Sequence, residues 1–167
     1  ALSIHNGADV RGGYTDYKIF KIDVDISGDR CYNVIKLETA EEYENHDFPG
    51  LDKFLKNLKG KTFFIVGGSG KISCASLRVL ESIKHLPISI IYIKPDYELL
   101  NKVQKMQDRV VFGVLQEYAR SAVFDDIYLV SNQALDTILG GAPIIGYHEK
   151  LNEIFATTFH MVNVFQN

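Results

Sequence analysis

The residues best suited to chemistry in this chain lie at positions 62–73, TFFIVGGSGKIS. A run of apolar, β-favouring side chains stops at Gly67-Gly68-Ser69-Gly70, Lys71 follows, and an apolar pattern with helical spacing begins at Ile72. A strand, a glycine loop and a helix start in that order can hold a phosphate. Glycines let backbone N–H groups approach an anion closely, and a helix N-terminus adds partial positive charge. Lys71 adds a full one. Two familiar phosphate motifs do not fit. A P-loop needs glycine where Ile65 stands and Ser or Thr where Ile72 stands. The dinucleotide fingerprint GxGxxG does not fit the loop either, and a plain tight turn is the alternative reading of GGSG by itself.

The elements that must position this loop follow from hydrophobic period. Tyr17–Val24 and Cys31–Leu37 alternate, and the Ser27-Gly28-Asp29 turn between them makes them a candidate hairpin. Lys61–Val66, Ile88–Ile93 and Asp126–Val130 are short, mostly apolar runs, typical of strands covered on both faces. Helical spacing is expected over Leu51–Leu58, Ile72–Ile83, Tyr97–Ala119 (one long helix or two short ones) and Gln133–Leu139, the last ended by Gly140-Gly141 and Pro143. The acidic stretch Glu41–Asp47 reads as a solvated helix or loop. A final segment, about 146–165, carries no carboxylate, Lys or Arg after Glu153 and is expected to be a long buried helix, or one lying between two domains.

Strands alternating with helices imply an α/β fold, a Rossmann-like, mostly parallel sheet with helices on both faces. Ligands of such folds bind outside the carboxyl ends of the strands. The Gly67–Gly70 loop, Pro95-Asp96 and Ser131-Asn132 all fall at such ends and outline one site.

Composition narrows the class. At 167 residues the expectation is one domain, 1–167, and 46% apolar with 23% charged residues is ordinary for a globular protein. A net charge of -3 gives no basic excess for nucleic acid or an anionic membrane, and no apolar run approaches the ~20 residues of a membrane span. Cys31 and Cys74 both sit in apolar patterns without metal-ligand spacing, and read as buried free thiols in a reducing compartment. With no secretory signal visible, the expected location is cytoplasmic. The histidines His5, His46, His85, His148 and His160 are scattered without metal spacing, and His160 reads as a core histidine. No GxSxG elbow is present. No catalytic residue and no metal ligand is therefore named.

VGGSGKI resembles the glycine-rich signature of the tubulin/FtsZ superfamily, GGGTGTG. Val66 replaces the first glycine, Ser69 the threonine, Lys71 the following Thr/Ser and Ile72 the last glycine. Residues 126–165 carry a further likeness. Ser131-Asn132-Gln133-Ala134 stands where that superfamily has Asp-Asn-Glu-Ala after a hydrophobic strand, and Leu151-Asn152 where it has a Leu-Asn pair in a long helix. The chain resembles the divergent, phage-encoded members in particular.

The resemblance implies the nucleotide-binding domain of tubulin and FtsZ, with GTP or GDP as ligand and magnesium as a companion. Gly67, Gly68, Ser69 and Gly70 would cradle the phosphates, with Lys71 tightening that grip or replacing a magnesium contact. Asn132 and Asn152 would read the guanine edge, since an amide donates and accepts at once; capping of helices is the alternative. Tyr147, or His148 beside it, would stack on the base. Glu98 and Lys102, four apart on one expected helix face, would hold ribose and phosphate, or form an ordinary surface ion pair. Partners would be further copies of the chain, head to tail in filaments, or a larger assembly.

The chain departs from the pattern at two places. Only Ala1–Asp16 precedes the YKIF strand, so the superfamily's opening strand–turn–helix unit is expected to be reduced, or its residues are missing from the chain as given; Ile4–Ala8 would be the end of that strand and its turn. Asn163-Val164-Phe165 stands where the superfamily has its Asn-x-Asp hydrolytic acid, and the superfamily's second domain is expected to be absent from the chain as given. GTPase activity is implied by resemblance without a visible acid to perform it. Two further readings stay open: a structural, for instance viral, assembly protein on a tubulin-like scaffold that has lost its nucleotide, and a small enzyme on an unrelated Rossmann-like sheet.

Overall fold

The computed structural model of the chain describes residues 18–140 and 147–166, the side chains at 136, 138–139, 147–149, 151–152 and 162–166 excepted. The expected strand end and turn at Ile4–Ala8 and the Gly141 and Pro143 helix stop lie outside the described residues. The chain divides into two compact units, Ile22–Asn132 and Ala1–Lys21 with Gln133–Asn167.

The first unit is a mixed α/β assembly around a parallel sheet. It opens with β1 (Lys21–Asp23) paired with β2 (Cys31–Asn33). The connection is too short for a crossover, so the pair is a hairpin; β2 starts at Cys31 as expected, and both strands are shorter than the alternation predicts. Its turn carries Gly28 at φ 119°, a conformation open to glycine at no cost. The acidic stretch then forms α1 (Ala40–Asn45). A reciprocal capping box starts it: the Glu42 amide donates to Thr39 Oγ1 at 3.2 Å, and the Thr39 amide donates to Glu42 Oε2 at 3.2 Å. This helix is not wholly solvated, because Tyr43 is buried and its hydroxyl accepts from the Leu37 amide at 3.0 Å. α2 (Leu51–Leu55) buries Leu51 and Leu55 as its three-to-four spacing requires.

β3 (Thr62–Gly67), β4 (Ile88–Lys94) and β5 (Asp126–Ser131) form the sheet in the order β3-β4-β5, all parallel. The register sets Val66 beside Tyr92 and Tyr92 beside Leu129. Each crossover carries a helix, as parallel pairing demands. Central β4 is buried on both faces, with Ile88, Ile90 and Tyr92 on one and Ser89 and Ile91 on the other. This explains why its sequence is nearly continuous apolar rather than alternating.

Two expected helices start differently from their periodicity. Ile72–Ile83 splits into a 3-10 segment, Lys71–Ala75, and α3 (Ser76–Ile83). Serine hydroxyls compete for the first carbonyls here: Ser73 donates to Gly67 O, and Ser76 to Ser73 O at 2.5 Å. Tyr97–Ala119 becomes a 3-10 turn, Tyr97–Leu99, and α4 (Lys102–Arg120), because Asn101 and Gln104 form a second capping box. One core joins these elements, and Leu80, Ile88, Ile90 and Leu115 are wholly buried in it. Truncating any of them to alanine costs about 2–5 kcal/mol.

In the second unit α5 (Asn132–Leu139) continues from β5, and α6 (Tyr147–Gln166) matches the expected final helix within a residue or two. Phe155 and Ala156 are buried, the Phe155 and Phe159 rings lie 6.5 Å apart, and Met161 is 50% exposed. No helix among the described residues is long and apolar enough to cross a membrane.

Both cysteines are free. Cys74 is buried as expected, whereas Cys31 is only half-buried, because it lies on the hairpin beside an open turn. Burial first, and the Glu44 carboxylate second, push the Cys74 thiol up to about 11. Thiolate is the reactive form. A maleimide or disulfide reagent at neutral pH is therefore expected to label Cys31 quickly and Cys74 only on unfolding. Equal rates in the native protein, read by peptide mass, would contradict this.

Candidate functional site

The carboxyl ends of three parallel strands share one edge of the sheet. At the first, pairing continues one residue past β3: the Gly68 amide donates to Ile93 O at 3.2 Å. The chain then leaves the sheet at Ser69 and enters the 3-10 segment, where the Ser73 amide donates to Gly70 O at 3.1 Å. The Ser73 hydroxyl reaches back to Gly67 O and closes the loop on itself. Among the described residues the amides of Ser69, Gly70, Lys71 and Ile72 meet no acceptor. A Cβ on Gly67 would meet nothing within 4 Å, and one on Gly70 would meet only Ser73 Oγ at 3.4 Å. The outer side of the loop is thus an open run of backbone donors, the arrangement that suits an anion.

The inner side is closed. A Cβ on Gly68 would fall 1.9 Å from Asp108 Oδ1 and 2.1 Å from the Tyr92 hydroxyl oxygen. Glycine is required here by packing from within. Asp108, 3% exposed on α4, accepts from Tyr92 at 2.5 Å on Oδ1 and from Tyr97 on Oδ2. Burial, reinforced by the bond to Asp108, pushes the Tyr92 hydroxyl far above its ordinary pKa of 10.0. Tyr97 is raised chiefly by its bond to Asp108, with Arg109 opposing. Both hydroxyls therefore remain protonated donors at neutral pH. One buried carboxylate ties β4, the turn after it and α4 to the back of the glycine loop. The reading of the sequence missed this group. Its signal was present: Asp108, Val111 and Leu115 share one helical face, so a carboxylate sits in an apolar stripe.

The remaining expected residues fall as follows. Lys71 is exposed, and its ammonium donates to Glu38 O in the segment before α1. Glu98 and Lys102 do not share a helix face. Glu98 lies in the 3-10 turn, the backbone extends at Leu100 and Asn101, and Lys102 is the first residue of α4. The four-residue spacing is real, but the Asn101 cap resets the helix between them, and no ion pair joins them. Asp96 caps the turn, accepting from the Glu98 amide at 3.0 Å. Asn132 directly follows β5 and begins α5; its Oδ1 is buried and meets no donor among the described residues. Tyr147, His148 and Asn152 lie on α6 in the second unit, and their side chains are outside the described residues, as are those of Asn163–Phe165. His160 is half-buried.

A separate groove of about 280 Å³ runs between α2 and α3, lined by Asp47, Asp52, Arg78, Glu81 and Ser82 among others. It shares no residue with the glycine loop, and the Ser82 hydroxyl spends itself on Asp52 Oδ1 at 2.6 Å. Among the described residues no group of three His, Cys, Asp or Glu side chains is placed to hold a metal ion.

No protein-family model, curated protein or solved structure matches this chain.

Proposed function

We propose that this protein binds a guanine nucleotide, GTP or GDP, at the carboxyl edge of its sheet, in the manner of the tubulin/FtsZ superfamily, and that binding is coupled to self-association. The observation that carries this reading is a pair of unmet hydrogen-bonding needs on one edge. The loop after β3 offers amides without acceptors, and Asn132 after β5 offers a buried amide oxygen without a donor. Buried polar atoms in folded proteins are nearly always paired, so an orphan of this kind asks for a partner. Phosphate oxygens satisfy the first need. The guanine edge, with its N1–H and amino group, satisfies the second, whereas adenine presents no donor in that position. β3 and β5 are separated by one strand, about 9–10 Å in all, a distance that one nucleotide spans. Magnesium would ride on the phosphate oxygens and water. Hydrolysis is not part of this proposal.

A second reading has its own support. The inner side of Gly68 is filled by Tyr92 and Asp108, and Lys71 is engaged by Glu38 O. These features suit a structural assembly protein that keeps the scaffold without a nucleotide. Denaturing the purified protein and identifying released nucleotide by chromatography separates the two. GDP or GTP near one per chain is the expected result, with light scattering rising when GTP is added. No nucleotide, and no change of melting temperature with GTP, favours the assembly reading. A flavin or adenine nucleotide would point instead to an unrelated enzyme on this sheet.

A further inference from the structure

The lysine inside the glycine loop is already occupied, since Lys71 donates to Glu38 O. A different cation stands at the mouth. Lys94 is the last residue of β4, the central strand, and it directly follows Ile93, whose carbonyl receives the Gly68 amide. It lies beside Ser131 in register, one residue before Asn132. Its side chain is exposed, its ammonium sits 5.9 Å from the centre of the Tyr97 ring, and no ion pair holds it among the described residues. The nearest carboxylate in sequence, Asp96, is turned to the Glu98 amide.

We propose that Lys94 is the cation that neutralises the phosphate chain at this edge, and that Asp108, acting through Tyr97, is the positioning residue that holds it there; this rests on the nucleotide-binding reading. Tyr97 is not a free aromatic. Its hydroxyl is fixed on Asp108 Oδ2, and the other oxygen of that carboxylate holds Tyr92 and lies against Gly68. The seat of the lysine and the backbone of the loop are thereby referenced to one buried group. A cation 5.9 Å from the centre of a half-buried ring is held weakly, so it can lean to an anion without losing a strong partner. Lysine serves here as a compact point charge, and the geometry of the anion is set by the backbone amides.

The test is equilibrium binding of GTP, GDP and inorganic pyrophosphate to the full chain and to Lys94→Gln, Lys94→Arg, Lys71→Gln and Tyr97→Phe, each checked by thermal melting. Lys94→Gln should weaken GTP and pyrophosphate by about tenfold or more and reduce the salt dependence of binding. Lys94→Arg keeps the charge, and Lys71→Gln removes an ammonium already engaged by Glu38 O, so each should lose severalfold less than Lys94→Gln. Tyr97→Phe keeps the ring but frees it from Asp108. It should weaken pyrophosphate binding when Lys94 is present and have no further effect in the Lys94→Gln background. Unchanged affinity in Lys94→Gln, with the parent binding nucleotide, overturns the assignment and leaves the nucleotide reading intact. Pyrophosphate binding that depends on Lys94, without guanine-nucleotide binding, supports the assignment and ends the guanine reading. A parent that binds none of the three overturns both.

Discussion

Gly68→Ala is expected to be the most damaging single-methyl change in the described part of the chain. The added carbon would sit 1.9 Å from Asp108 Oδ1, 2.1 Å from the Tyr92 oxygen and 2.8 Å from Tyr92 Cζ. Overpacking alone costs about 1–3 kcal/mol, and displacing a hydrogen-bonded buried carboxylate adds a similar amount. A loss of about 3–5 kcal/mol would consume much of the 5–15 kcal/mol that a domain commonly has. Gly67→Ala, where the new carbon meets nothing, should change stability by less than about 1 kcal/mol. Urea denaturation of the two variants provides the comparison. The obstructing atoms are side-chain ends, so the penalty should shrink by at least about 1 kcal/mol in a Tyr92→Phe/Asp108→Ala background. Gly68→Ala as stable as the parent would mean that Asp108 is not packed where the geometry has it.

Removing the carboxylate should be nearly as costly. Asp108→Ala leaves the Tyr97 hydroxyl without its acceptor and the buried Tyr92 hydroxyl with only the main-chain carbonyl of the same residue, at 3.3 Å, and is expected to cost about 2–4 kcal/mol. Asp108→Asn keeps an acceptor for one hydroxyl and should lose less. The same cluster predicts an alkaline limit. In the unfolded chain Tyr92 releases its proton near pH 10.0, while in the fold burial and the Asp108 bond hold that proton well beyond this. Above pH 10 the folded state therefore binds more protons than the unfolded one, and stability falls as pH rises. Below pH 10 this contribution is fully present. Cys74, raised from 9.0 to about 11, adds a loss of the same sign between those values. The denaturation midpoint should thus decline from about pH 9 upward, at no more than about 1.4 kcal/mol per pH unit for each group. Tyr97 and Tyr32, raised to a lesser degree, add losses of the same sign, so Tyr92→Phe in a Cys74→Ala background should reduce the slope without abolishing it, and an undiminished slope there would place the titrating group elsewhere.

The candidate site was legible in the sequence to the extent that its parts are local. The glycine loop, the polar residues at the ends of β4 and β5, and the start of α5, expected at Gln133 and found one residue earlier, all follow from runs of apolar residues interrupted by turn formers. Glu98 and Lys102, four apart in sequence, do not share a helix face, because the Asn101 cap restarts the helix between them. The N-x-x-Q signal of that capping box was there to be used. Lys94 drew no notice because, as a sequence feature, it is one lysine at a strand end. Only its place beside Gly68 and over Tyr97 sets it apart.

By itself the amino-acid order determined which segments are strands and helices, and that a glycine turn ends β3, since period and turn chemistry act over a few neighbours. The folded chain alone decided that Gly68 rather than its neighbours must lack a side chain, that Asp108 is the buried acceptor, and that Lys71 is tied down while Lys94 is free of ion pairs among the described residues. Those outcomes come from β3, β4 and α4 meeting across dozens of intervening residues. Burial and close approach are properties of that meeting, and no short stretch of sequence contains them.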